Sequence, residues 1–311
     1  MKIKYIIPIA FLTGLLLCSN LHAQIYVANS GNNNGDSIGE FTLAGTPVPA
    51  GSGTLATGLD QPYGLAISGS DIFVADFGDN ALYEYTTAGT LVGPGALISS
   101  GLPQPTAIAI SGSDIFVTND GDNVNEYTTA GAAVNSGTLI SEEGNNLMGI
   151  AISGSNMFLT NANSGFITQY TTTGSFVGDV TTDLNRPVGI AVSGSDLFVV
   201  NNGNNTIAEY TISGTTVTGS NTSLVSSGLN YPTGIAISGS DLFITGGSNS
   251  ASSAIYEYTT TGGTVGSGTL VSTDLHSPFG IVVVPEPSTW AMLGIGAAGL
   301  VTICRRKRVK A

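Results

Sequence analysis

The sequence predicts an all-β fold: a six-bladed β-propeller of four-stranded blades, with a signal peptide before it and a hydrophobic sorting helix after it. Three observations lead to this prediction. The middle of the chain repeats every 40 to 45 residues, the repeat is circularly permuted, and the two chain ends differ in composition from the middle. No sustained helical periodicity occurs between Gln24 and Val284.

The repeat is built around a Ser-Gly-Ser turn between two apolar runs. Five copies align, at steps of 43, 42, 40 and 45 residues, through Asp71, Asp114, Asn156, Asp196 and Asp241. A sixth copy begins at Pro278 and stops after its first apolar run. Its missing part lies at the other end of the chain, where residues 25–29 match residues 72–76. The first and last strands are therefore expected to share one blade, which closes the ring and covers sheet edges.

Each copy predicts four strands, which in the copy starting at Pro62 are residues 64–67, 72–75, 81–86 and 96–99. Alternate positions of the first strand are small, as at Gly64 and Ala66, and the positions between them are Leu, Ile or Val. Successive side chains face opposite sides of a sheet, so small residues on one face suit the narrow part of a blade beside the central axis. The first strand is thus predicted to be innermost. A β-solenoid is the alternative, but its repeats are usually shorter.

The N-terminal residues 1–23 have the layout of a secretory signal peptide. Lys2 and Lys4 precede a short apolar run, and a small-residue site predicts cleavage between Ala23 and Gln24. The run is shorter than the ~20 residues that a membrane span needs. The predicted domains are accordingly the signal at 1–23, the propeller at 24–284 and a sorting segment at 285–311.

The C-terminal segment has three parts in a fixed order: Pro285, Glu286 and Pro287; an apolar run to Cys304; and the basic cluster Arg305, Arg306, Lys307 and Arg308. This arrangement resembles the PEP-CTERM sorting signal. The resemblance implies transient insertion into the inner membrane and cleavage by an exosortase-like protease. It also implies a cell-surface or extracellular location in a Gram-negative bacterium that makes extracellular polysaccharide. A permanent tail anchor is the alternative. The apolar run from Trp290 to Cys304 has 15 residues, and as a helix at 1.5 Å per residue it spans only ~22 Å of a ~30 Å hydrocarbon core.

Residues 73–80, Phe-Val-Ala-Asp-Phe-Gly-Asp-Asn, followed by Leu-Tyr-Glu-Tyr, resemble the NHL-type propeller repeat. Ala81 stands where NHL repeats commonly carry a basic residue. Gluconolactonase-like and virginiamycin-lyase-like propellers share the general pattern. The first kind implies Glu, Asn and Asp around a metal in the channel; the second implies a catalytic histidine, for which His276 is the one residue of that type in 24–284.

Charge excludes whole classes of partner. Residues 24–284 carry twenty acidic side chains against the single base Arg186, a net charge near −19. Nucleic-acid binding and adhesion to anionic lipid both depend on Lys and Arg, so no nucleic-acid partner is expected. A cation or a neutral polar polymer is the more natural ligand. Both cysteines, Cys18 and Cys304, lie in the terminal segments, so the propeller is expected to be stable without disulfides.

The turns between the second and third strands are rich in Asp and Asn. Oxygen ligands of this type suit Ca²⁺, and the candidate metal ligands are Asp76, Asp79, Asp120 and Asp122. The other interpretation is a set of Asx turns, whose side chains hydrogen-bond the backbone and tolerate left-handed geometry. The second interpretation is favoured because no loop has the full EF-hand spacing.

Two functions remain open. The first is a non-catalytic binding or structural protein of the cell surface or extracellular matrix, associated with exopolysaccharide or matrix proteins through weak contacts spread over equivalent repeats. The alternative is a metal-dependent lactonase- or esterase-like hydrolase, or a lyase, with its site in the propeller channel. No phosphate-binding loop, nucleophile elbow or His/Cys metal cluster is present in the sequence.

Overall fold

A computed structural model of the chain describes residues 23–31, 36–48, 52–120, 122–141, 146–181, 184–214, 216–247 and 252–284. The predicted signal peptide up to residue 22 and the predicted sorting segment lie outside the described residues. Within the described ranges no helix is long and apolar enough to cross a membrane.

The described residues form strands joined by turns. In chain order the strands are β1 (Gln24–Asn29), β2 (Ser37–Thr42), β3 (Thr54–Thr57), β4 (Pro62–Ser68), β5 (Asp71–Asp76), β6 (Ala81–Thr86), β7 (Pro105–Ser111), β8 (Asp114–Asn119), β9 (Asn123–Thr128), β10 (Ala133–Ser141), β11 (Leu147–Ser153), β12 (Asn156–Asn161), β13 (Phe166–Thr171), β14 (Phe176–Thr181), β15 (Pro187–Ser193), β16 (Asp196–Asn201), β17 (Thr206–Ser213), β18 (Thr216–Val225), β19 (Pro232–Ser238), β20 (Asp241–Gly246), β21 (Ala254–Thr259), β22 (Thr264–Val271) and β23 (Pro278–Val284).

Six sheets result, and each corresponds to one copy of the repeat. The first blade has the strand order β23-β1-β2-β3, so the last strand of the propeller pairs with the first. This confirms the predicted closure. The second to sixth blades follow in chain order and begin with β4, β7, β11, β15 and β19.

The second blade departs from the four-strand prediction. Its sheet contains only β4, β5 and β6. The segment predicted as a fourth strand, residues 96–99, forms a single isolated bridge, Leu82 with Ile98, and a second bridge, Tyr85 with Leu91, lies before it. Pro94 lies between the two bridges, flanked by two glycines. Because proline has no N–H to donate and glycine weakens a strand, the segment runs along β6 without forming a continuous ladder.

Inner strands of neighbouring blades meet backbone to backbone. A methyl group added at Gly234 would clash with the carbonyl oxygen of Phe279, and one at Gly280 would clash with the carbonyl oxygen of Tyr63. Gly64, Gly149 and Gly189 abut the inner strand of the following blade in the same way. The first strand of each repeat is therefore innermost, as predicted, and its small residues permit the close approach.

The core lies between blades rather than within them. Each large apolar cluster draws its members from two adjacent blades, such as Val188 and Phe198 of the fifth with Ile235 and Leu242 of the sixth. One aromatic side chain per blade, on the second strand, is almost completely buried: Tyr26, Phe73, Phe116, Phe158, Phe198 and Phe243. Burial of such large side chains at every junction is the main source of stability for the ring.

Candidate functional site

The channel has two different ends. The register pairs Pro62 with Asp76 and Ser68 with Asp71. The residue before each inner strand and the turn after each second strand therefore lie together around one opening, which we call the channel mouth. The Ser-Gly-Ser turns lie at the opposite opening, which we call the hairpin face.

The five copies that have a hairpin turn agree at the hairpin face, and all six copies differ at the mouth. Five copies carry Ser-Gly-Ser followed by Asp or Asn. At the mouth three positions vary from blade to blade. The second residue of each inner strand, from the first blade to the sixth, is Phe279, Tyr63, Thr106, Met148, Val188 and Thr233. The residue before each inner strand is Ser277, Gln61, Gln104, Asn146, Arg186 and Tyr231. The residue after each second strand is Ser30, Phe77, Asp120, Ala162, Asn202 and Gly247.

This pattern separates residues that maintain the fold from residues with another role. A residue that only maintains the repeated fold is expected to be the same in each copy, as it is at the hairpin turns. Variation concentrated at one end, where loops from all six blades converge, is typical of a site that acts on something else.

An aromatic stack occupies one side of the mouth. The rings of Tyr63 and Phe279 lie with centroids 4.1 Å apart and planes 11° apart, and Tyr63 also stacks on Phe77 at 4.6 Å and 25°. All three side chains are half-buried, so part of each ring reaches solvent. The stack bridges the first blade, in which the last strand pairs with the first, and the second blade.

Two charged residues act on this stack. Burial raises the pKa of Tyr63, the charge of Asp120 raises it further, and the charge of Arg186 lowers it. Asp120 and Arg186 are therefore both within electrostatic range of the Tyr63 hydroxyl.

The residue before each inner strand has a left-handed backbone. The φ angles are 57° at Gln61, 47° at Gln104, 55° at Asn146, 51° at Arg186, 44° at Tyr231 and 46° at Ser277. A left-handed backbone is costly for residues other than glycine, so the surrounding structure must hold it in place.

Hydrogen bonds between blades hold this backbone. The amide N–H of Gln104 donates to Asn80 Oδ1 of the second blade at 2.8 Å, and that of Tyr231 donates to Asn205 Oδ1 of the fifth blade at 2.8 Å. The N–H of Asn146 donates to Asp122 Oδ1 in the same manner. The Asp- and Asn-rich turns thus link successive blades around the mouth.

The predicted metal ligands lie within these turns. Asp76 is fully buried, and its two oxygens accept the N–H groups of Asp79 and Asp60 at 3.0 and 2.8 Å. Burial raises the pKa of Asp76 to about 6. Asp79 accepts the hydroxyl of Tyr83 at 2.8 Å.

The four candidate ligands come from two different blades, because Asp120 and Asp122 belong to the third. In the ranges described, no three His, Cys, Asp or Glu side chains are arranged to hold a metal ion. The contact of Asp76 with the N–H of Asp79 agrees with the Asx-turn interpretation, whereas Asp122 accepts an N–H from the next blade. A calcium site at these residues stays a prediction.

The channel itself has a cavity of about 100 Å³ lined by the inner strands. Its lining consists of glycine and apolar residues with Thr106 and Thr233, and Tyr63 is the one ionisable side chain that the described residues place there. The converging acids expected for a gluconolactonase-like site are not among these lining residues.

A second, more polar cavity of about 550 Å³ lies beside the first blade. Asp36, Asp60, Asp274 and His276 line it. One carboxylate oxygen of Asp36 is buried and has no hydrogen-bond partner, and burial raises the pKa of this residue, with the charge of Asp60 as a further cause. The histidine suggested by virginiamycin-lyase-like proteins is therefore at this cavity rather than in the channel.

The geometry defines the chain as a six-bladed β-propeller in which the loops around the channel mouth differ in sequence from blade to blade. The C-terminal residues 283–308 match the PEP-CTERM protein-sorting motif. The motif implies export, sorting to the surface of a Gram-negative cell and processing by an exosortase-type protease.

A solved structure shows the same fold. A chain from a crystal structure of a nidogen/laminin complex superposes with a TM-score of 0.66 at 17% identity, over 85% of this chain and 99% of that one. Two further structures superpose less well. Virginiamycin B lyase from Staphylococcus aureus has a TM-score of 0.48 at 20% identity, over 67% of this chain and 66% of that one. The computationally designed Ika8 protein has a TM-score of 0.46 at 14% identity, over 82% of this chain and 74% of that one. No curated protein matches the sequence.

Sequence reasoning missed the mouth residues Tyr63, Phe77 and Phe279. The signal was available in the repeat itself, since the residue at the position of Tyr63 changes from copy to copy. The predicted inner strand begins one residue later, at Gly64, and the stacking of Tyr63 with Phe279 depends on ring closure.

Proposed function

We propose that this chain is a non-catalytic binding protein of the cell surface or extracellular matrix, and that its channel mouth binds a polysaccharide. The observation that carries the proposal is the Phe77–Tyr63–Phe279 stack, which lies at the end of the ring where the six copies diverge.

Aromatic rings suit sugars for a physical reason. One face of a pyranose presents C–H groups, and the face of an aromatic ring carries the negative part of its quadrupole. Within the stack the rings cover part of one another, and a sugar would contact the parts of the three rings that reach solvent. Gln61, Gln104 and Asn146 lie around the same opening, and their amides both donate and accept hydrogen bonds, which matches the hydroxyl groups of a sugar.

The sorting motif supports the same ligand class. By resemblance, proteins with this signal are exported to the exterior of bacteria that surround themselves with polysaccharide. A polymer at that location is present at high local concentration, so a site of modest affinity is sufficient.

Binding is favoured over catalysis because of the channel lining. General acid–base chemistry needs groups that titrate near neutral pH within reach of the ligand. The channel residues that the structure describes are apolar or neutral apart from Tyr63, whose pKa is raised by burial.

The hydrolase or lyase alternative is favoured by one observation, the cavity beside the first blade. Three carboxylates and His276 line it, and Asp36 has a raised pKa. A screen of lactones and esters with Ca²⁺, Mg²⁺, Mn²⁺ or Zn²⁺ tests this alternative. Turnover that disappears in an Asp36→Asn variant of unchanged thermal stability would establish the enzyme in place of the binding protein.

The binding proposal is tested by calorimetric titration of the processed protein, recovered from the producing bacterium, with extracellular polysaccharide from the same cells. Phe77→Ala removes one ring of the stack and is expected to weaken binding about tenfold or more, as stacking groups usually contribute 1–3 kcal/mol. Phe176→Ala is the matched control, because Phe176 is 61% exposed on the outer strand β14, away from the mouth. Equal affinities for Phe77→Ala and the parent, or an equal loss in Phe176→Ala, would contradict the proposal.

A further inference from the structure

Arg186 is the single Lys or Arg between residues 24 and 284, and it lies at the mouth. It occupies the left-handed position before the inner strand of the fifth blade, and its carbonyl accepts the N–H of Asn202 at 3.1 Å. The equivalent residues in other blades are uncharged. The backbone at this position therefore does not require an arginine.

The side chain of Arg186 is exposed. Among the residues that the structure describes, no carboxylate lies within 4.0 Å of its guanidinium. The sequence around the propeller is strongly acidic, so this solvent-exposed cation is a local exception in charge at the mouth.

Arg186 also faces the aromatic stack. In a ring of six blades the fifth blade lies opposite the second, which carries Tyr63 and Phe77. The charge of Arg186 acts on the Tyr63 hydroxyl, so the two side chains share the same opening. The mouth thus has rings on one side and a guanidinium on the other.

From this geometry we propose that the polymer bound at the mouth contains an acidic sugar, and that Arg186 binds its carboxylate while a neighbouring sugar ring packs on the aromatic stack. This inference rests on the proposed polysaccharide-binding function and specifies its ligand class. A guanidinium presents a planar fork of donors that matches a carboxylate in bidentate fashion.

The overall charge makes such a contact selective. A net charge near −19 repels an anionic chain from most of the surface. An acidic sugar is therefore bound only where a cation compensates, and the sequence supplies that cation at one position. A neutral polymer would gain little from Arg186.

The test compares two forms of the producer's extracellular polysaccharide, the native polymer and the same polymer with its carboxyl groups chemically reduced to alcohols. The processed protein is titrated with both, as the parent and as Arg186→Gln. Glutamine is the residue that the second and third blades carry at the equivalent left-handed position, so the fold tolerates it there. Asn156→Asp serves as the control, because it changes the net charge by the same one unit at the hairpin face, where four other copies carry aspartate.

We expect Arg186→Gln to weaken binding of the native polymer about tenfold or more, the usual effect of losing a hydrogen bond to a charged group. Its affinity for the reduced polymer should equal that of the parent. Asn156→Asp, at the opposite end of the channel, should leave the affinity of the parent and its preference for the native form unchanged. If the parent binds both forms equally and Arg186→Gln changes neither, the acidic-sugar inference fails while the proposed function stands. If the parent binds neither form, the proposed function itself fails.

Discussion

Tyr63 and Phe279 stack ring on ring at 4.1 Å across the junction between the second blade and the first, the blade in which the two ends of the propeller sequence pair. Tyr63 belongs to the second blade, and Phe279 lies on β23, the last strand of the chain to join the ring. The stack therefore connects the chain closure to the channel mouth, so one contact serves both the fold and the candidate site.

Phe279→Ala tests the structural part of this contact. The change removes the stack on Tyr63 and leaves space beside the last strand. We expect the free energy of unfolding to fall by about 1–3 kcal/mol, less than for a fully buried phenylalanine because the side chain is half-buried. Urea denaturation of the processed protein measures this. Tyr231→Ala, at a mouth residue that is 53% exposed, should stay within about 0.5 kcal/mol of the parent. Equal stability of the two variants would contradict the closing role of the stack.

Gly234→Ala tests the close approach of the inner strands. The added methyl would clash with the carbonyl oxygen of Phe279 and would lie 2.8 Å from the hydroxyl oxygen of Thr245. The sixth and first blades must therefore separate. Overpacking of this kind costs about 1–3 kcal/mol. Gly95→Ala is the matched control, because a methyl at Gly95 meets nothing within 4 Å. The melting temperature should fall in the first variant and stay near that of the parent in the second. A Gly234→Ala protein as stable as Gly95→Ala would show that the blades are farther apart than described.

Asp76 predicts a pH dependence of stability. Burial raises its folded pKa to about 6, above the usual value of 3.8. A raised folded pKa contributes stability below the unfolded pKa, and that stability is lost as pH rises through about 6. The loss between pH 4 and pH 7 amounts to about 3 kcal/mol at most. Burial, with an aspartate charge nearby, also raises the pKa of Glu84, Glu126, Glu209 and Glu257, so these carboxyl groups act in the same direction.

Asp76→Asn isolates this contribution. Four other blades carry asparagine at the equivalent position: Asn29, Asn119, Asn161 and Asn201. Denaturation at pH 4.5 and at pH 7.5 should show a smaller stability difference for the variant than for the parent. An identical pH dependence in the two proteins would mean that the Asp76 carboxyl has an ordinary pKa.

Processing at both chain ends is a separate prediction. Trp290 is the single tryptophan, and both cysteines lie in the segments that cleavage would remove. Protein released from the surface of the producing cells is expected to lack tryptophan emission and free thiols. Its intact mass should equal that of a chain that begins at Gln24 and ends near Pro285–Pro287. A surface form that retains residues 305–310 would show that the tail is a permanent anchor.

The repeat made most of the fold predictable. The Ser-Gly-Ser turns predict the strand order. Small residues such as Gly64 and Ala66 predict which strand is innermost, and the split sixth copy predicts the closure of the ring. The missing fourth strand of the second blade was not predicted, since residues 96–99 resemble a strand while Pro94 interrupts the ladder before them.

The candidate site was harder to predict because it depends on which ends of six strands converge. Asp76, Asp79, Asp120 and Asp122 attract attention in the sequence as oxygen ligands, yet their contacts in the structure are largely to backbone and neighbouring turns. Arg186 is visible as the only base in the domain. Its position across the mouth from Tyr63 follows only once the blades are counted around the ring.

A polymer that binds at the mouth, rather than across the equivalent blades, should protect only the mouth from hydrogen exchange. Amide hydrogen exchange of the processed protein, measured with and without the producer's extracellular polysaccharide, distinguishes the two modes of binding. We expect slower exchange in peptides covering residues 60–64, 185–189 and 230–234 at the mouth. We expect no change in peptides covering the hairpin face at residues 68–71, 111–114 and 193–196. Equal slowing at the hairpin face, or slowing spread evenly over all six blades, would contradict binding at the mouth.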